Sequence, residues 1–537
     1  MTKVHVQRGP IPPTASVKFS TLSLVYTTGY VVNLVLMPFK AYLSEPFPWN
    51  LQPLSSDLLP SNGSYEAFAN ATYSYLSAKY NNSTNAASVV FSRDTDTNTY
   101  MLRNTIKLPE QGDDRCMQYM PLFPGAIFYS YGVTSFVCDF LARNASGRLE
   151  STLFYCQEDI LANTKFGVSC TWAELSNDAA SASTYEIYHA VQIVESVVLS
   201  WAKFGLRAVH SCYIVFLIWN LYYRHYEPLV HNLRTIGLDD KSCRYIVQLG
   251  DPTWLILSHP FVSAIMVIDN YICLGYGSAA INRTSQGTDV GEFCLGCLYG
   301  SRTVWAAYAA MRYTTPIIKC MQWEQNFQPV DPGLLALLAI FYAGPVMYVV
   351  TRTPIICIFQ WLDAVAVPPA QRNQLLEGDP GVVVFFLMMA MVPFVTSFLA
   401  QLMLRHCKQC KRFDKRRQSI LTYTSLRFND WKHRVLFYWQ RRHVCVNYIG
   451  GTLYLLYDEN PRYQKLPLFS SRGSDCFVTC WDDVGVAKSR VRLSLIQALD
   501  CQLNCASLAI PLCHSHHDVL AVGKRLHLGA NNCQWIQ

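Results

Sequence analysis

The chain has 537 residues, of which 51% are hydrophobic and only 15% charged, with a net charge of +7. Soluble domains usually carry about 25% charged residues, so this balance, with a mean hydropathy of +0.12, excludes a disordered chain, a coiled coil and a solvated filament. It equally excludes a chain lying wholly in lipid, and leaves a mainly α polytopic membrane protein with large parts outside the bilayer.

A helix crossing the hydrocarbon core takes about 20 apolar residues. Six windows reach that length with few charges: 19–39, 204–223, 253–275, 301–319, 333–351 and 381–404. The first lies between Lys18 and Lys40 and has no small-residue cleavage site after it, so it reads as a retained helix rather than a signal peptide. The second carries Arg207 and His210, the third His259 and Asp269, and the fourth Arg302 and Arg312, while the last two are nearly uncharged. Ionisable groups are costly in a bilayer and mark function or packing. His210, His259, Asp269, Arg302 and Arg312 are therefore the intramembrane candidates. Asp269 lies about 24 Å up the third helix at 1.5 Å per residue, level with Arg302 at the outer start of the fourth. That depth match predicts an Asp269–Arg302 ion pair.

Three signals orient the helices. N-glycosylation sequons stand at Asn62, Asn70, Asn81, Asn82, Asn144 and Asn282, all between helices one and two or three and four. Residues 38–200 hold 9 Lys/Arg against 16 Asp/Glu, whereas residues 405–537 hold 20 against 9, and positive charge stays on the cytoplasmic side. Six crossings from an inner N-terminus (1–18) then place residues 40–203 outside and the tail 405–537 inside. The fourth helix is needed for this parity.

The outer region is too long for a connector and reads as a folded α+β or β-rich domain. Residues 126–131 and 134–137 read as strands, and apolar residues at Ile187, Val191, Val194, Val198 and Trp201 trace a helical stripe over 186–203. Cys116, Cys138, Cys156 and Cys170 imply two disulfides in an oxidising compartment, with three connectivities open. Cys294 and Cys297 suggest a further local disulfide. Asp94-Thr95-Asp96 has the DxD form that holds a metal and a sugar nucleotide in glycosyltransferases, but it sits in a polar turn with no nucleotide-binding unit around it.

Asp251-Pro252, Asp331-Pro332 and Asp379-Pro380 read as helix openings, the last two each followed 13 residues later by a second proline, Pro345 and Pro393. Such a repeat suits shared capping chemistry or an internal duplication. Residues 354–366 are apolar but too short to span, which predicts a re-entrant or interfacial helix. Six helices with a large glycosylated domain after the first resemble the layout of polycystin and mucolipin cation channels. That resemblance implies a pore helix at residues 354–366, with Asp363 on the ion path. The fourth helix departs from the voltage-sensing pattern in lacking regularly spaced cations.

After the sixth helix, Arg405, Lys408, Lys411, Arg412, Lys415, Arg416 and Arg417 form a run that attracts anionic inner-leaflet lipid. Cys407 and Cys410 within it suit palmitoylation or zinc. Residues 427–442 read as an amphipathic helix on the same leaflet, and a tethered tail favours lipid over nucleic acid as its partner. Cys501, Cys505 and His516 have the residue types of a zinc site without a standard finger spacing. Residues 450–478, GGTLYLLYDENPRYQKLPLFSSRGSDCFV, resemble the tail of uncharacterised multi-pass proteins of oomycetes. That resemblance implies a lineage and no activity.

No P-loop, GxSxG, HExxH, kinase or Rossmann fingerprint is present, and no cofactor is implied, so the chain does not read as an enzyme. The leading expectation is a glycosylated plasma-membrane receptor, sensor or scaffold with an unidentified extracellular ligand and scope for oligomerisation. A cation channel or transporter is the second, and a lumenal membrane enzyme the third.

Overall fold

The structure, a computed structural model, describes residues 15–51, 64–81, 90–149, 153–161, 164–176, 184–235, 237–238, 244–321, 323, 326–327, 330, 332–366, 375–410, 447–450, 476–496 and 534–536. Asn62, Asn82, Lys411, Arg412, Lys415, Arg416, Arg417, residues 427–442 and the Cys501, Cys505 and His516 set lie outside these. Arg405, Cys407, Lys408 and Cys410 fall in the last described helix, at positions where only the backbone is described.

In chain order, β1 (Ser16–Phe19) leads into α1 (Thr21–Val35), followed by α2 (Tyr65–Lys79), β2 (Phe91–Asp94), β3 (Thr99–Lys107), α3 (Cys116–Tyr119), α4 (Tyr131–Ala142) and α5 (Ala145–Leu149). Three long strands come next, β4 (Phe154–Leu161), β5 (Thr164–Leu175) and β6 (Thr184–Ile193). Serine hydroxyls open the helices here: Ser64 accepts from the Ala67 amide, Ser130 from Val133, and Ser196 from Leu199 at the next helix. The strands form a sheet in the order β2-β3-β6-β5-β4, and β6 is buried along its whole length. Its Tyr188 and Ala190 pack with Phe68 and Leu76 of α2, and its Tyr185 and Ile187 pack with Val133 and Val137 of α4 on the other face.

Two local expectations are overturned. Residues 186–193 are strand rather than helix, because a spacing of four, as from Ile187 to Val191, also keeps side chains on one face of a strand. The helix starts only at Val197. Residues 126–131 and 134–137 are not strands. Ala126–Phe128 is a 3-10 turn, and Val133, Val137, Phe140 and Leu141 are the buried stripe of α4.

The helical part continues with α6 (Val197–Leu221), α7 (Tyr226–Thr235), β7 (Arg244–Gln248), α8 (Thr253–Leu257), α9 (Pro260–Ile272), α10 (Leu274–Gln286), α11 (Val290–Gly300), α12 (Val304–Cys320), α13 (Pro332–Phe341), α14 (Met347–Thr351), α15 (Ile356–Ala366), β8 (Leu375–Glu377) and α16 (Gly378–Cys410). Three helical stretches, Val197–Thr235, Pro332–Thr351 and Val384–Met403, are long and apolar enough to cross a membrane. The pair α9 and α10 makes a fourth if taken as one span, although it bends by 76°. Two expected spans fall short: α1 has 15 residues, and α12 has 17, with Arg312 and Pro316 inside it. Leu34 of α1, Ile214 and Ile218 of α6, Met266 of α9, Trp305 and Tyr308 of α12, Leu335 of α13 and Met389 of α16 share one apolar core.

The last strands are β9 (Asn447–Gly450), β10 (Cys476–Trp481), β11 (Ala487–Ile496) and β12 (Gln534–Ile536). With β1 and β7 they form a second sheet, ordered β1-β7-β10-β11-β12, with β9 also on β11. β1 runs parallel to β7, and β10 antiparallel to it. Tyr222, Tyr226 and Leu229 pack onto this sheet against Cys476, Val478 and Trp535, whose indole N–H donates to the His225 carbonyl at 2.9 Å. β8 joins the first sheet instead, parallel to β4. α15 follows it: Ile356 is buried beside α4, and the Gln360 amide donates to the Ala126 carbonyl at 2.9 Å.

Cys116 is bonded to Cys138 and Cys156 to Cys170, the latter joining partnered positions of β4 and β5. Cys294 and Cys297 are not bonded. They sit on α11 with Cys294 exposed and Cys297 turned inward against Gly344. Replacing Cys156 and Cys170 together by serine is expected to cost about 3 kcal/mol, the value for closing a loop of roughly 15 residues. Thermal unfolding of the full chain with and without reductant checks this.

Candidate functional site

Where the first sheet meets the helices, six charged side chains from five segments converge in the interior. Glu45 follows the 3-10 turn Pro38–Leu43, and Glu195 lies between β6 and α6. Lys203 and Arg207 are one turn apart on α6, Asp269 is on α9, and Arg302 is in the 3-10 turn Ser301–Thr303 that joins α11 to α12. Lys203 Nζ lies 3.3 Å from Glu45 and 2.8 Å from Glu195. Arg207 lies 2.8 Å from Glu45 and 2.9 Å from Asp269, and Arg302 pairs with Glu45 at 3.3 Å and with Asp269. Three cations thus balance three carboxylates, with no net charge left in the interior.

Neutral groups complete the shell. The Tyr299 hydroxyl donates to Glu45 at 3.0 Å, and the Tyr276 hydroxyl donates to Glu195 at 2.8 Å. Asn98, in the β2–β3 turn with φ of 51°, donates to the Tyr276 hydroxyl and to the Ile193 carbonyl. Burial alone would raise the Glu45 carboxyl. Lys203, Arg207 and Arg302 outweigh it and hold the group well below the usual carboxylate range.

Beside this network lies a cavity of about 170 Å³, bounded by the first sheet on one side and by α10, the α11–α12 turn, α15 and α16 on the other. Cys273, Tyr299 and Arg302 belong to its wall as well as to the network. Most of the lining is apolar, including Phe128, Phe166, Phe359 and Phe385. The polar lining is confined to a few groups. Asp159 accepts from Ser169 at 3.1 Å, and the Nδ1 of His189 meets the Thr171 hydroxyl at 3.0 Å. Tyr100 and Ser278 share a hydrogen bond of 2.9 Å. Asn282 is buried, and neither atom of its amide has a hydrogen-bond partner.

The structure brings Asp269 and Arg302 together, but as part of a larger set than a pair. Glu45, Glu195 and Lys203 escaped the sequence reading, and their only signal is indirect: Lys203 and Arg207 stand four apart at the edge of an apolar run. His210 is buried on α6, while His259 caps α9 within electrostatic reach of Arg312. His210 lies within electrostatic reach of Asp269 and His259 but hydrogen-bonds to neither. Asn70 and Asn144 are exposed and Asn81 is half-buried. Asn282, 1% exposed, has no room for a glycan in the folded chain. Asp94 pairs with Lys79 and accepts from the Asp96 amide, closing the β2–β3 turn. Cys476 and Cys480 are buried in the second sheet, and among the described residues no His, Cys, Asp or Glu group is arranged to hold a metal. No family model matches the chain, and no curated protein or solved structure is detectably similar to it.

Breaking a buried pair from one side leaves an uncompensated charge, at about 3–5 kcal/mol. Asp269→Leu, which leaves Arg207 and Arg302 to share Glu45, is expected to lose that amount. Asp269→Leu combined with Arg302→Leu, which removes one charge of each sign, is expected to recover most of it in thermal unfolding.

A second prediction concerns pH. Burial pushes the Asp159 carboxyl up to about 7 and the His189 imidazole down to about 4. Between roughly pH 4 and 6.5 the folded chain keeps an Asp159 proton that the unfolded chain has released, so stability falls as pH rises. In the same window the unfolded chain holds a His189 proton that the folded chain lacks, so stability rises. The two slopes oppose each other. Asp159→Asn is therefore expected to gain stability from pH 4.5 to 6.5 and His189→Gln to lose it, each by at most about 1.4 kcal/mol per pH unit. Melting curves across that window check both signs.

Proposed function

We propose that the chain is a membrane receptor or sensor of the cell surface or another secretory membrane, with six crossings and both termini inside. Its outer domain receives the signal, and its helices carry it to the tail. The partition of the strands supports the six crossings. Segments expected inside (β1, β7 and β9 to β12) share one sheet, and segments expected outside (β2 to β6 and β8) share the other. The chain changes sheet four times, at β1–β2, β6–β7, β7–β8 and β8–β9, and six crossings meet that partition when three of them, with α12 as a short one, lie between β7 and β8.

The observation that carries the sensor reading is the pairing of a charge-neutral clamp with an apolar bundle core. Glu195 ends the linker from β6, and its partner Lys203 lies on α6, so a shift of the sheet pulls directly on a helix. Glu45 and Asp269 tie the same cluster to α9 and the α11–α12 turn. Below it the described helices share an apolar core from α1 to α16. α15 packs on the outer domain, which favours an interfacial helix over a pore helix.

Sequons exposed at Asn70 and Asn144 agree with an outer, glycosylated face. Reconstituted in planar bilayers, the purified chain is expected to pass no more current than the protein-free membrane. A steady cation current lost on Asp363→Ala would overturn the reading in favour of a channel.

A further inference from the structure

The cavity beside the ionic network is built to hold something, and its chemistry says what. At about 170 Å³ it exceeds the engineered cavity of roughly 150 Å³ that accepts benzene. There is room for a ring or a short chain, with more of the molecule passing through the mouth. On the wall opposite the sheet, Phe359 and Leu362 of α15 and Val384 and Phe386 of α16 are lining residues that are partly exposed, and we take the mouth to lie there. Just outside it, Ile358, Trp361 and Leu387 are largely exposed apolar side chains, the surface a helix presents to lipid.

Inside, the charged wall is already spent. Arg302 is ion-paired with Glu45 and Asp269, so its charge is compensated and only its buried Nε–H is left without an acceptor. The group left over is Asn282. Its amide is neutral and buried and meets no partner in full hydrogen-bond geometry; the Tyr100 hydroxyl, which Ser278 engages, is close enough to interact with it only weakly. A buried amide without partners costs free energy until something supplies a donor and an acceptor. A hydroxyl does both.

We propose that this cavity binds an amphiphile with a neutral hydroxyl on an apolar body, its hydroxyl on Asn282 and its body among the phenylalanines towards α15 and α16. This deepens the sensor reading by naming the class of ligand, and it rests on that reading for its consequence but not for its occurrence. Such a molecule has two sources, a sterol-like lipid of the outer leaflet or a soluble alcohol, and the same chemistry serves both.

Gly277 makes the test clean. It lines the cavity on α10, and a Cβ added there meets no atom within 4 Å, so the side chain of Gly277→Leu starts into open space. Leucine also suits a helix better than glycine. The full chain in lipid nanodiscs would be photolabelled with a diazirine sterol in the bilayer and, separately, with azi-octanol in solution, and the labelled peptides mapped.

The expected result is labelling of the α10 peptide by at least one probe. Sterol labelling assigns the bilayer as source, and labelling by azi-octanol alone assigns the solution. Gly277→Leu should abolish it, and Asn282→Leu should raise the half-saturating probe concentration about tenfold, the factor for one lost hydrogen bond. Gly205→Leu, equally free of contacts but on α6, away from the cavity, should leave it unchanged. No α10 labelling by either probe, or labelling that persists in Gly277→Leu, would overturn the proposal. If Gly277→Leu misfolds, Asn282→Leu decides alone: an unchanged half-saturation refutes the site. Labelling reports occupancy only, so a bilayer current would refute the sensor without touching this result, and absent labelling would leave the sensor standing.

Discussion

Everything in this molecule hangs on burying six charges where the first sheet meets the helical bundle. Taking them from water one by one would be prohibitive, and the arrangement is tolerable only because Glu45, Glu195 and Asp269 are matched by Lys203, Arg207 and Arg302 within direct contact distance. Glu45 touches all three cations. Its position, just past the Pro38–Leu43 turn that follows α1, makes that turn a keystone for the helices it meets. A buried network of this kind adds little net stability compared with an apolar seam, but it admits only one register of sheet against helices. Specificity of docking is what the charges contribute.

That constraint explains the neighbourhood. Tyr299 and Tyr276 use their hydroxyls to complete the carboxylates and their rings to cover the cations, as with Arg302 over Tyr299 at 4.9 Å and Lys203 over Tyr276 at 5.2 Å. α9 bends into α10 at Cys273, beside the network, and α10 then lies with its polar residues buried rather than continuing across. The bend opens the space between sheet and helices that becomes the cavity. Binding space and clamp are thus two results of one break in a helix.

Much of the helical part was legible in the sequence because apolar windows near residues 333–351 and 381–404 contain almost nothing else. The four outer cysteines were legible too, although their pairing needed the strand register that sets Cys156 opposite Cys170. Polar intramembrane residues pointed to Asp269 and Arg302, since charge in an apolar run is conspicuous. Glu45 and Glu195 were not, because each lies in a mixed segment where a carboxylate is unremarkable. Asp159 and His189 were hidden for another reason: polar residues alternate with apolar ones in any half-exposed strand, and only the helices packed on the far side turn that face into an interior. The 186–193 strand shows the same blindness in reverse, since periods of two and of nearly four coincide at Ile187 and Val191.

The second sheet has a consequence for how the chain assembles. It draws β1 from residues 16–19, β7 from 244–248 and β10 to β12 from 476–536, so β1 waits for β7 across α1 to α7, and β7 waits for β10 across α8 to α16. Loop closure over such distances is slow, and until it happens β1 and β7 present open edges. The helices between must therefore pack before the sheet can close. That makes the sheet a late seal, formed only when the head and tail of the chain have come together at one end of the helices. A chain whose helices packed so as to leave them at opposite ends could not form it at all.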